Sequence, residues 1–138
     1  MRIGIVPRRR TACIDRESSV AHACRLMREQ RLGELVVTEN LDGKPVPAGI
    51  VSARDIITRI IAVELDPATV TVGDILWIRA HPATPADSVP ETVERLCASG
   101  GDALPVIDFS GKVAGVVSLD DLWLALANAG SRAHPRTP

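Results

Sequence analysis

The chain has 138 residues, 46% of them apolar, with a formal net charge of −1 and an isoelectric point near 6.3. That length suits one ordinary domain or two small units sharing a core, and the apolar fraction excludes wholesale disorder. With no overall positive field, one Phe, two Trp and no Tyr, the composition argues against nucleic acid and anionic membranes as partners.

The opening stretch, MRIGIVPRRR, has no apolar run followed by a small-residue cleavage site. No segment approaches the roughly 18 apolar residues that span a bilayer, so a soluble, cytoplasmic protein is expected. Residues 1–9 are set apart as an N-terminal segment, and Arg8, Arg9 and Arg10 form a basic turn just before the first core strand. A solvated turn is the first reading and a phosphate contact at a cleft mouth the second. A first repeat, residues 10–66, opens with a short strand near Cys13 and Ile14. Val20, Ala23, Cys24 and Met27 then fall on one helix face. The buried strand ELVVT, a turn at Asp42-Gly43 and a second strand AGIV follow, and a helix is predicted at roughly 53–64. Pro67 stops that helix. Residues 67–76 form a connector in which Thr71 can cap a short turn.

The second repeat, residues 77–129, has the same order of signals. It runs from a short strand near Ile78 to Ala80, through a helix carrying Val89, Val93 and Leu96, to the strand ALPVI. A turn at Ser110-Gly111, the strand AGVV and a helix at 119–129 complete it, and 130–138 reads as a disordered tail. Leu35 aligns with Leu104 and Gly49 with Gly115, the slack being absorbed in a turn. Each copy is a β-α-β-β-α unit too small to bury its sheet alone, so an α/β (α+β) pair of packed repeats is expected. Cys13, Cys24 and Cys97 are odd in number and form no C-x-x-C, which predicts small core thiols and neither disulfides nor zinc. His22 and Cys24, two apart on a helix, point in different directions, and no metal site is expected.

The most informative feature is a phrase said twice: GIVSARDI at 49–56 and GVVSLDDL at 115–122. Serine followed three residues later by an acid is close to a capping box, worth about 1 kcal/mol per helix. The same geometry suits a nucleotide, because donors gather where a strand runs into a helix and a carboxylate can accept from both hydroxyls of a ribose. The glycine lets another backbone or a flat ligand approach the strand.

These two phrases, the ALPVID strand with its GK turn, and the connector VTVGDIL resemble a tandem pair of CBS (cystathionine β-synthase) domains, the Bateman module, from about residue 10 to 129. The resemblance implies a pseudo-twofold pair with two clefts, each built from both repeats. It implies an adenosine-containing regulatory ligand, AMP, ADP, ATP or S-adenosylmethionine, with no required cofactor. Asp55 with Ser52, and Asp121 with Ser118, then hold ribose and phosphate, while Ile50 and Val116 lie against adenine. Ile78, Gly101 and Asp102 complete the first cleft, and Leu32 and Gly33 the second. The resemblance further implies a flat homodimer formed through helices, for which Ile56, Ile60, Ile61, Leu122, Trp123 and Leu126 are the candidate apolar positions.

The phrases differ before the aspartate. Arg54 can pair with phosphate oxygens, whereas Asp120 adds a second carboxylate beside Asp121. The first cleft is thus expected to prefer a phosphorylated ligand, and the second a less anionic ligand, a metal-neutralised one or none. No G-x-S-x-G elbow, H-E-x-x-H helix or Walker loop is present, which favours a non-catalytic regulatory module acting through a regulated protein partner or an oligomer. The competing readings are a ligand-free dimerisation protein and a small nucleotide-acting enzyme with Asp55 or Asp121 as base.

Overall fold

The computed structural model describes residues 1–76 and 80–133, with no side-chain description for 131–133. Ile78 therefore lies outside the described residues, as do most of the strand expected near 78–80 and the end of the expected tail. In the first unit, β1 (Cys13–Asp15) runs parallel to β2 (Glu34–Leu41), which pairs antiparallel with β3 (Lys44–Ser52). The turn between β2 and β3 places Asp42 and Gly43 at φ 52 and 82, the primed geometry that matches strand twist. Between β1 and β2 lies α1 (Val20–Gln30), started by Ser19, whose hydroxyl accepts from the His22 N–H, and ended by Arg31 in the left-handed region.

The second unit contains α3 (Val89–Ser99), β4 (Ala103–Ile107), β5 (Val113–Ser118) and α4 (Leu119–Ala133), with β4 antiparallel to β5. The single parallel bridge of Ala83 to Val106 takes the place that β1 holds in the first unit. The helix after β3 differs from expectation. Only Ala53–Ile56 (α2) is α-helical, and Ile57–Ile61 continues as a π-helical turn in which the Ala62 N–H reaches back to the Ile57 carbonyl at 2.8 Å. At the other end, α4 runs on to Ala133, past the expected limit at 129.

Side-chain alternation divides the interior. Leu35, Val37 and Val51 enter the first core with Val20, Ala23 and Met27, while Leu104, Val106 and Val117 enter the second with Val89, Val93 and Leu96. The opposite strand faces meet through Val36, Ala103 and Val116, with Ile50 and Val113 packed around them. This contact brings the ends of β3 and β5 close to the facing unit. The cysteines correct the expectation of core thiols. Cys13 points outward by strand alternation and Cys97 lies one position past the buried face of α3, leaving only Cys24 partly buried.

The segment preceding each repeat packs on the other unit. Ile3 and Val6, around a 3₁₀ turn at Ile3–Ile5, are buried in the second core, whereas Val72 and Ile75, around a 3₁₀ turn at Gly73–Ile75, are buried in the first. The hydrogen bonds repeat as well. The Ile3 N–H donates to the Asp87 carbonyl and the Val72 N–H to that of Ser18, both at 2.8 Å, and the Val89 and Val20 N–H groups donate to Met1 and Val70. Thr71 caps its turn as expected, through reciprocal bonds with Asp74.

Candidate functional site

Where β3 becomes α2, Ser52 leaves the strand with extended backbone and starts the helix. Its hydroxyl accepts from the Asp55 N–H at 3.0 Å, and an Asp55 carboxylate oxygen accepts from the Ser52 N–H at 2.9 Å. Ser118 and Asp121 repeat this at 3.1 Å for both bonds. The capping box is thus real in both copies. It also fixes each aspartate, because one carboxylate oxygen is tied to the backbone while the other remains for a further partner.

That further partner separates the clefts. The second oxygen of Asp55 lies 3.9 Å from Arg59, whose guanidinium is itself anchored on the Ile75 carbonyl at 2.7 Å. Asp121 instead receives Arg9, with guanidinium nitrogens 3.2 and 3.3 Å from its two oxygens. Partial burial opposes ionisation of Asp121, but the hydrogen bonds with Ser118 and the Arg9 guanidinium outweigh it and hold the carboxyl below the usual carboxylate range.

The first cleft has a volume of about 270 Å³ and gathers six of the expected residues: Ile50, Ser52, Arg54 and Asp55 from the first unit, Gly101 and Asp102 from the second. Arg54 is exposed, and its guanidinium makes no hydrogen bond or ion pair with the described residues. The second cleft is divided. Ser118 and Asp120 line one cavity of about 270 Å³, and Leu32, Gly33 and Val116 line an adjoining one of about 550 Å³, with Arg9 and Glu34 common to both. Asp121 joins through its ion pair with Arg9.

Glu34 was not anticipated as a site residue, and Arg9 only through the second reading of its basic turn, a phosphate contact at a cleft mouth. Glu34 opens β2 and borders all three cavities. Burial first, and Asp102 next, raise its carboxyl above the ordinary value, with Asp121 and Asp55 adding to the effect and Arg9 opposing it. Its counterpart in the second repeat is Ala103, so the charge has no repeated partner by which to notice it. For Arg9 a signal did exist. Extending the repeat upstream pairs Ile3 with Val72 and hence Arg9 with Ile78, one of the expected site residues.

Arg9 is held by more than charge. Its N–H donates to the Val116 carbonyl at 2.8 Å and its carbonyl accepts from the Val116 N–H at 3.1 Å. Gly115, at φ 146, permits this approach, since a Cβ there would lie 2.9 Å from the Arg9 carbonyl oxygen. The motif glycine of the second phrase therefore admits another backbone. Arg9 also places a cation in a cleft whose own phrase carries Asp120 and Asp121, offsetting the acidity that the phrase alone predicts.

A CBS domain family model matches residues 3–62 and 72–122. The chain belongs to the CBS domain family. It is 30% identical over 108 residues to an uncharacterised 17.7 kDa protein of Acidianus ambivalens, a match covering 78% of this chain and 62% of that protein. The chain spans between 47% and 62% of the length of the curated relatives it matches. Among solved structures, a conserved CBS domain protein of unknown function from Thermoplasma acidophilum is 27% identical, with a TM-score of 0.69 over 94% of this chain and 71% of that one. A CBS domain protein from Pyrobaculum aerophilum, solved in complex with AMP, is 23% identical, with a TM-score of 0.69 over 93% and 99% of the two chains. The two family matches begin at residues 3 and 72, and so include the exchanged segments Ile3–Val6 and Val72–Ile75 with the CBS unit that follows each.

Proposed function

We propose that this CBS pair is a non-catalytic, cytoplasmic regulatory module that binds an adenosine-containing ligand between its units and signals to a protein partner by a change of shape or association. The observation that carries this reading is the capping-box aspartate. Asp55 is fixed by Ser52 at the edge of a cleft that both units build, and an oxygen not tied to the Ser52 N–H is open to further donors. A vicinal diol can supply two such donors. In this reading Ser52 and Arg54 meet the phosphate, Ile50 lies under the base, and Gly101 and Asp102 close the cleft from the facing unit. The AMP complex of the Pyrobaculum protein, a likeness at the level of fold, agrees with the ligand class.

Association is proposed to run through the helices that follow each phrase, and it gives a homodimer. Of the positions considered from sequence, Ile56, Ile60 and Leu122 are buried in the monomer and Leu126 partly so, which leaves Ile61 and Trp123, joined by Ile57 and Leu124. Light scattering of Trp123→Glu against the unchanged protein measures this.

The ligand test is calorimetric titration and thermal melting with AMP, ADP, ATP and S-adenosylmethionine. Asp55→Ala is expected to weaken the bound ligand at least tenfold, as loss of a charge-assisted pair of hydrogen bonds implies. Absence of any melting shift at millimolar concentration across the panel would turn the reading toward the ligand-free interaction protein. Nucleotide turnover abolished by Asp55→Asn would turn it toward an enzyme.

A further inference from the structure

The 550 Å³ cavity of the second cleft differs from its neighbours in charge. Arg9, Arg10 and Arg31 line it against one carboxylate, Glu34. In the first cleft Arg54 and Arg59 face Glu34, Asp55 and Asp102, and in the adjoining cavity Arg9 faces Glu34, Asp102 and Asp120. Of these three cavities it is the one with a net positive lining.

Its arginines are placed by the fold. Arg10 donates to the Gln30 carbonyl at 2.6 Å and to the Gln30 side chain at 3.3 Å, which seats it against the end of α1. Arg9 is fixed by its backbone pairing with Val116 and reaches Asp121 at the boundary with the adjoining cavity. Arg31 is the informative residue. It ends α1 at φ 56 and ψ 48, a conformation that costs an L residue energy a glycine would avoid. The equivalent end of α3 is Gly100, which lines the first cleft from the matching place. Where one cleft has the residue the backbone favours, the other carries a strained arginine. Its backbone N–H donates to the Met27 carbonyl, but its guanidinium makes no hydrogen bond or ion pair with the described residues. Strain kept at a cavity wall points to a role outside the fold.

We propose that Arg9, Arg10 and Arg31 form a polyphosphate subsite in the second cleft. The ligand class is a chain of phosphoryl groups, carried by a nucleoside di- or triphosphate or free as inorganic polyphosphate. This inference rests on the adenosine reading only for the first of those sources. Arg9 is common to both cavities, so a ribose held at Asp121 and a phosphate chain among the arginines would be neighbours. The subsite gives the second cleft the more highly charged ligand, the reverse of what Arg54 and Asp120 imply from the two phrases.

Calorimetry at low ionic strength with AMP, ATP and inorganic tripolyphosphate tests it, using the full chain, Arg31→Gly and, for the first cleft, Arg54→Ala. The unchanged protein should bind ATP and tripolyphosphate about tenfold more tightly than AMP, as added guanidinium–phosphate bonds imply, with affinity falling as salt rises. Arg31→Gly should lose about tenfold for both while AMP binding holds, and should melt no lower than the unchanged protein because glycine suits the conformation. Retained ATP and tripolyphosphate affinity in Arg31→Gly overturns the proposal, as does their loss in Arg54→Ala alone. Preference for AMP over ATP with no tripolyphosphate binding overturns it and leaves the adenosine reading intact. Arg31-dependent tripolyphosphate binding without any nucleotide binding does the opposite.

Discussion

The two CBS units share a construction and differ in what reaches their clefts. In each, a capping box fixes an aspartate at the end of a strand, and a segment preceding the other repeat seals the core. Asp55 then faces Arg59 from its own helix, one turn on, whereas Asp121 faces Arg9 from a segment at the far end of the chain. A duplicated fold can therefore keep its scaffold symmetric while changing its ligand chemistry. The backbone bonds that position the segments are the same in both halves, and the side chains those segments carry into the clefts are free to diverge.

The widest break in that comparison is to unseat one exchanged segment. Ile3 is fully buried in the second core although it stands third in the chain, while Ile5 is 71% exposed. Ile3→Ala should cost about 3 kcal/mol in urea denaturation, as for other buried isoleucines, and Ile5→Ala close to nothing. Val72→Ala, at the equivalent place in the first core, should cost about 2 kcal/mol. A negligible effect of Ile3→Ala would mean that the N-terminal segment is not part of the second unit.

That prediction could not be made from the phrases alone. The repeat, its helix faces and both capping boxes are local, and Val20, Ala23 and Met27 or Val89, Val93 and Leu96 announce themselves by spacing. The exchange is also written in the sequence, as IGIV at 3–6 against VGDI at 72–75, but only a register extended upstream of the first strand reveals it. The charges are harder to read. Arg9 acts on Asp121 across 112 residues of chain, and Glu34 lies at a strand end whose repeat counterpart is alanine. The π-helical turn after α2 is harder still, since Ile57–Ile61 has the spacing of an ordinary helix and the bond that widens it is a backbone one. Pattern finds what repeats, and the electrostatics of these clefts sits in what does not.

The aspartates sharpen the comparison at a smaller scale. Asp55→Ala and Asp121→Ala each remove one half of a capping box, worth about 1 kcal/mol. Asp121→Ala should cost a few tenths of a kcal/mol more, because the Arg9 pair is lost as well and that arginine is 59% exposed. The depressed pKa of Asp121 fixes the sign of its pH dependence. Its contribution is present above the ordinary carboxylate pKa and is lost as pH falls through the lower folded value. The gap between the unchanged protein and Asp121→Ala should accordingly narrow on acidification. A gap constant with pH would show that Arg9 and Ser118 do not favour the carboxylate.

Glu34 gives the smallest effect and the opposite sign. Burial and the surrounding Asp102, Asp121 and Asp55 raise its pKa against the opposing pull of Arg9, so the folded state favours the protonated acid. The associated stability is fully present below the unfolded carboxylate value and is lost as pH rises through the higher folded one. At neutral pH the ionised side chain works against the fold, and Glu34→Gln should raise the melting temperature by about 1–2 °C, with no gain in acid. Because Glu34 borders both clefts while Ala103 carries no charge at the matching place, the substitution also removes one carboxylate from each cavity at once. Anionic ligands should then bind more tightly in both clefts, with a gain that shrinks as salt rises. A gain confined to one cleft would mean that the carboxylate faces that side only, and the charge difference between the clefts would be larger than Arg9 and Arg31 alone make it.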